Sequence, residues 1–310
     1  MMRRALAHVA RRALGAPSLT RVAGATAAAR RRALVLVFHR VAEEPAVSTV
    51  VVPTVPRDVV GEQISQLLGI GTVVSLSSLV EDRSFSTRPR FALTFDDDSA
   101  THHATALPLL LELGVTATFF VSGRALRGLG APWFDVLDAL IRDRGADATA
   151  ALLGLEMADP QEIAAACERD RELQRLIEQQ EAATPRVLGH AEIRDLHDAG
   201  MSIGFHTVHH QVLTGLPEDE VDAAAREGRA ELEAVIGERL HMFAYPHGKA
   251  DHRVARRIRL ANYDAAWTGR PRPVTTSDDP YLLGRWESGT ATGGEFAARV
   301  VARMNGVGRR

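Results

Sequence analysis

At five points the chain passes through short, nearly unbroken runs of apolar, β-branched and aromatic residues: "ALVLVF" (33–38), "FALTF" (91–95), "VTATFFV" (115–121), "MSIGF" (201–205) and "HMFAY" (241–245). A run without polar alternation suits a strand buried on both faces. Shorter strands are expected at 71–76 and 263–268. Between the runs lie segments of helical periodicity: 104–114 closing on Gly114, 132–143 opening on Pro132, 191–200, 217–237, 251–261 and 294–304. Residues 217–237 read as one long helix. Ile163, Cys167, Leu173, Leu176 and Ile177 recur at helical spacing within 160–183, which marks a helical insertion around 145–188. Strands alternating with helices give an α/β fold with a parallel sheet or barrel. Ligands in such folds collect at the carboxyl ends of the strands.

The chain has 310 residues and a net charge of −2, which offers no nucleic-acid surface. Residues 1–32 hold eight arginines and no acid. They read as a basic, partly helical or disordered extension ahead of a domain at 33–310, able to lie on an anionic membrane surface. No apolar run approaches the ~20 residues of a membrane span, and the head lacks the apolar centre of a secretory signal. Cys167 is the single cysteine, so no internal disulfide forms. A cytoplasmic location, with possible membrane-surface association through residues 1–32, is expected.

Titratable residues follow the runs. His39 follows the first, Asp96, Asp97 and Asp98 follow "FALTF", "HTVHH" (206–210) follows "MSIGF", and Pro246-His247-Gly248 follows "HMFAY". Three adjacent carboxylates at the end of a buried strand repel one another and are costly to bury. His206 and His210, four apart, lie on one side if the chain makes a helical turn there. Two histidines and a carboxylate suit a first-row metal, zinc above all. A cation would neutralise one acid and let its neighbour stay ionised as a base.

Thr94 to Asp97 ("TFDD") and His206-Thr207-Val208-His209-His210 resemble two motifs of the polysaccharide deacetylases with a NodB homology domain, carbohydrate esterase family four. The resemblance runs over about 33–290, with "PWFDVLDAL", "AGMSIGFHT" and "SDDPYLLGRW" also similar. It implies a distorted (β/α) barrel of about seven parallel strands and removal of N-acetyl groups from an N-acetylated sugar, oligosaccharide, polysaccharide or glycolipid precursor. By position, Asp96 is the base, while Asp97, His206 and His210 hold a divalent metal: zinc, or else cobalt, nickel or iron. "AYPHG" (244–248) matches a turn whose backbone N–H, that of His247, faces the oxyanion. Phe38-His39-Arg40 resembles the "YHR" of the branch that deacetylates poly-N-acetylglucosamine, which gives His39 the role of general acid.

There are departures. Ala244 stands where the family has an arginine that orients the base, and Arg285 is a candidate substitute. Leu283-Gly284-Arg285 lacks the late histidine of the family. Asp98 stands in place of a glycine, where it could narrow the metal pocket or cap a helix beginning near Ser99. His102, His103, His190, His197 and His252 read as surface or helix residues, His209 as exposed or supporting, and Trp133 and Trp267 as core. Trp286 is as well placed for substrate as for the core. Two other readings stay open: hydrolysis of a C–N bond in a small amide or ureide, and a catalytically weak carbohydrate-binding relative. A full donor triad beside a base argues against the second.

Overall fold

An apolar strand loses both faces to water only if something covers each, and a curled parallel sheet wrapped in helices does this. The computed structural model describes residues 32–43, 51–82, 88–180 and 186–306. Its strands are β1 (Ala33–Phe38), β2 (Arg40–Ala42), β3 (Thr54–Pro56), β4 (Thr72–Val73), β5 (Arg90–Asp96), β6 (Thr118–Val121), β7 (Ser202–Phe205), β8 (Met242–Ala244), β9 (Ala265–Trp267) and β10 (Trp286–Glu287). The main sheet runs β10-β1-β5-β6-β7-β8-β9, all parallel, with β4 beside the start of β5. Leu283 bridges Trp267 of β9, and three residues later Trp286 pairs with Leu36 of β1. One short segment therefore touches both edges, and the sheet curls into a distorted (β/α) barrel of seven strands. All strand ends that carry candidate residues point to the same rim.

The helices are α1 (Arg57–Ile70), α2 (Leu76–Glu81), α3 (Leu107–Leu113), α4 (Trp133–Arg144), α5 (Ala146–Leu152), α6 (Pro160–Arg169), α7 (Arg171–Glu178), α8 (His190–Asp198), α9 (Glu218–Ala224), α10 (Arg229–Ile236), α11 (His252–Leu260) and α12 (Gly293–Met304). Alternation along each strand divides the core. Leu34, Leu36, Leu93, Phe205 and Phe243 pack outward against the helices. Ala33, Val35, Ala92, Phe120, Ala244 and Trp267 form a smaller inner cluster. Val37, Asp96 and Arg285 continue that inner parity to the rim and line a cleft. Helices α4–α7 share an apolar core of their own, including Trp133, Leu137, Ile163, Cys167 and Ile177.

Several expectations are corrected. Residues 217–237 form two helices, because Gly228 between them takes φ +79° and a Cβ there would lie 2.4 Å from Val208 Cγ2. Only glycine allows that approach to the histidine loop. Helical periodicity beyond residue 160 is resolved as α6 and α7, separated at Asp170, whose carboxylate accepts the N–H groups of Glu172 and Leu173. At 71–76 the strand is two residues long, and Ser75 caps α2 instead. His102 is wholly buried: its Nε2–H donates to the His39 carbonyl at 2.6 Å, and its ring packs on Phe95 and Phe119. The basic head, apart from Arg32, lies outside the described residues. No helix among the described residues is long and apolar enough to cross a membrane.

Candidate active site

The three consecutive carboxylates point three ways. Asp96, the last residue of β5, faces inward and meets Arg285 in a bidentate pair, Nη1 donating to Oδ1 at 2.5 Å and Nη2 to Oδ2 at 2.7 Å. Arg285 also reaches Thr94 Oγ1 and the Thr268 carbonyl, and its guanidinium lies 5.2 Å from the Phe120 ring centre. Asp97 leaves the strand at φ +72°, which turns its carboxylate toward the histidine loop. Asp98 turns away from the cleft and accepts the N–H groups of Ser122 (2.6 Å) and Arg124 (3.2 Å) and the Ser122 hydroxyl. It ties the loop after β6 to the rim, so it neither narrows the pocket nor caps a helix near Ser99.

His206 directly follows β7. Its Nδ1–H donates to the Ala244 carbonyl at 2.9 Å, which leaves the Nε2 lone pair free toward the cleft. Thr207 at φ +62° and His210 at φ +47° make the turn that returns the second imidazole. His206 Nε2 lies 3.7 Å and His210 Nε2 3.5 Å from Asp97 Oδ1. One donor atom from each of Asp97, His206 and His210 lies within 4.8 Å of the others. Burial lowers both imidazoles, that of His210 well below its ordinary value, so both are neutral donors. Burial and the neighbouring Asp135, Asp96 and Asp98 push the Asp97 carboxyl well above the ordinary range. A buried acid among acids, facing two neutral imidazoles, is a donor set that fits a divalent cation. Asp96 differs: burial works to raise it, yet Arg285 and His206 outweigh burial and hold it at about 2.

The remaining candidates lie around the same cleft, which has a volume of about 490 Å³. His39 lines it from the end of β1. Burial, partly offset by Asp96, lowers its imidazole from the ordinary value. His247 sits in the Pro246–Gly248 turn at φ +55°, its ring centre 4.6 Å from that of His210. Its Nδ1 lies 3.2 Å from Glu168 Oε1 of α6. Among the described residues five non-glycine residues have positive φ, and four of them are Asp97, Thr207, His210 and His247. Such backbone costs of order 1 kcal/mol each, and it gathers where function fixes a side chain.

Ala244 is fully buried at the end of β8, and the guanidinium that pairs with Asp96 is that of Arg285, 189 residues further along the chain. His209 is half exposed, 3.4 Å from Glu227. Trp267 is core, and Trp133 both packs in the insertion and lines the cleft. Trp286 is buried, stacks on Phe296 and lies outside the cleft lining. The sequence reading missed the insertion's share of the wall: Gln161, Ala164, Ala165 and Glu168 present one face of α6 to the cleft. Their i, i+3, i+4, i+7 spacing was a usable signal. It also missed the clasp by which Arg40 holds Asp135 and Asp138 of α4.

Comparison with protein families matches residues 85–266 to the polysaccharide deacetylase family. That span contains the three candidate metal donors, Asp96 and the His247 turn, and leaves out His39 and Arg285. Comparison with curated proteins finds no match. Among solved structures, IcaB from Ammonifex degensii has a TM-score of 0.61 at 18% identity, covering 88% of this chain and 97% of that one. The Streptococcus pyogenes deacetylase PplD, in complex with acetate, has a TM-score of 0.60 at 14% identity, covering 88% and 98%. A de-N-acetylase from Aggregatibacter actinomycetemcomitans has a TM-score of 0.58 at 16% identity, covering 86% and 98%. At these identities the likeness is one of fold.

Proposed function

This chain belongs to the polysaccharide deacetylase family, whose members are deacetylating hydrolases acting on carbon–nitrogen bonds, and from that premise we propose that it is a metal-dependent hydrolase removing N-acetyl groups from an N-acetylated carbohydrate. Asp97, His206 and His210 are the residues that would hold the metal. A divalent ion supplies Lewis acidity toward the acetamide carbonyl and toward water. The single observation that supports the reading is the meeting of these three donors with an Arg285-paired Asp96 in one cleft.

Asp96 is kept ionised by Arg285 and takes the proton from the attacking water. The backbone N–H of His247 faces the oxygen that gains charge, in a turn whose geometry is fixed before reaction. His39 delivers a proton to the departing nitrogen. The C–N bond breaks with its electron pair on nitrogen, and acetate and an amino sugar leave. His206, its Nδ1–H on the Ala244 carbonyl, stays aprotic at Nε2, and the apolar edges of Val52, Trp133 and Phe134 exclude water from one side of the cleft.

The test is acetate release from acetylated chito-oligosaccharides by metal-supplemented protein, compared with Asp96→Asn. Release that chelator abolishes, and that falls about 10³-fold in the variant, supports the reading. Equal release by the variant would overturn it.

A further inference from the structure

The segment that carries Arg285 carries a second acid two residues on. Along an extended strand, residues i and i+2 share a face. Arg285 and Glu287 both line the cleft, while Trp286 between them turns outward onto Phe296. Leu36 pairs with Trp286 and Val37 with Glu287, which sets the Glu287 side chain beside the end of β1, where His39 emerges.

His39 Nδ1 is buried and has no hydrogen-bond partner within the protein. Glu287 Oε1 lies 3.9 Å from it. The other charged groups around His39 are committed elsewhere: Asp96 to Arg285, and Arg40 to Asp135 and Asp138. The His39 backbone is held by the His102 ring at its carbonyl. The imidazole therefore needs only a side-chain adjustment to close on Glu287. Catalytic hydrogen bonds are often this long before substrate binds.

We propose that Glu287 is a positioning residue for the proton donor: it takes a hydrogen bond from His39 Nδ1–H and so leaves the Nε2 proton aimed at the nitrogen of the scissile amide. The inference rests on the reading of His39 above. In the step, the Nε2 proton passes to the amide nitrogen as the C–N electron pair moves onto it, while the proton of the attacking water goes to Asp96. His39 ends neutral with Nδ1–H still on Glu287. Each group then exchanges one proton with solvent to reset. Glu287 contributes by fixing the tautomer and by lowering the cost of a cationic ring in a buried place. Glu287 stands at the cleft's rim with its side chain 44% exposed, and partial burial and the nearby Asp96 raise its carboxyl.

The experiment compares an N-acetyl amide with an aryl acetate ester, whose phenolate leaves without a proton. Glu287→Gln should lower kcat on acetylated chito-oligosaccharide about 10- to 100-fold with little change in KM, and lower ester turnover at least about tenfold less. Glu287→Asp should recover part of the amide rate. Added to His39→Ala, Glu287→Gln should cost nothing further. Equal losses on amide and ester, or an unchanged amide rate, would overturn the proposal. If the wild type releases no acetate from the amide, the functional reading itself fails. The ¹⁵N shifts of the His39 ring decide the contact independently of turnover. A ring that carries Nδ1–H, whether neutral or cationic, and loses it in Glu287→Gln supports the contact, and a wild-type ring protonated at Nε2 alone rules it out.

Discussion

The loops that follow β5 and β7 and the segment that leads into β10 meet at one cleft, yet they are organised differently. Asp97 and His210 are themselves bent into positive φ, while His206 directly follows β7 and is held by the Ala244 carbonyl. Arg285 and Glu287 sit on an ordinary extended segment at the sheet's edge and are aimed by strand register. Chelation needs several atoms near one point, which here a strand end and two residues of positive φ arrange. An ion pair needs only contact, and a neighbouring strand provides it. The donors come from two turns far apart in the chain, and the guanidinium that sets the charge of the neighbouring Asp96 comes from a third segment.

Substitutions should separate the two kinds of region. The largest effect is expected from Asp97→Ala. It removes the carboxylate of the donor set, so bound zinc measured by elemental analysis should be lost and acetate release should fall roughly 10⁴-fold. Retained zinc would show that the donors lie elsewhere. Arg285→Met comes next. It strands a buried carboxylate at a cost of about 3–5 kcal/mol in denaturant unfolding, with zinc retained. Its pH effect has a definite sign. With Arg285 present, Asp96 is ionised down to about 2. In the metal-free protein this adds stability above the ordinary carboxylate range that is lost as pH falls through about 2. Without Arg285, burial is no longer outweighed, the carboxyl rises, and the acid limb of activity should move to higher pH. An unmoved limb would break the link between the two regions.

Asp98→Ala should be smaller and purely structural. Two buried N–H groups and a hydroxyl lose their acceptor, which costs about 3 kcal/mol, while zinc content stays unchanged. Loss of zinc would mean that Asp98 belongs to the donor set. His209→Ala, half exposed beside Glu227, should change stability by less than about 0.5 kcal/mol and leave zinc binding intact. A larger change would make it part of the site.

The strands and the positions of the two candidate donor motifs at their ends were legible because burial and a cluster of histidines and acids both leave local signatures. An apolar run announces a covered strand, and acids or histidines just past its end announce a rim. The different fates of Asp96, Asp97 and Asp98 were not legible. All three are buried acids in a row, and what separates them is a guanidinium, two imidazoles and a pair of backbone N–H groups from three other segments. The break at Gly228 was hidden for a similar reason: acids and alanines on either side favour helix, and the close approach of Val208 decides otherwise. Trp286 was ambiguous until β10 paired with β1 and turned it outward.

The amino-acid order alone determined which segments must be buried strands and which residues follow them, because hydrophobic periodicity and turn chemistry act over a few residues. The tertiary structure decided which charge neutralises which. Arg285 reaches Asp96, and Glu287 stands beside His39, only because the sheet curls until its last strand lies against its first. Closure brings together residues that no local rule relates, and electrostatics then acts on distance in space rather than along the chain.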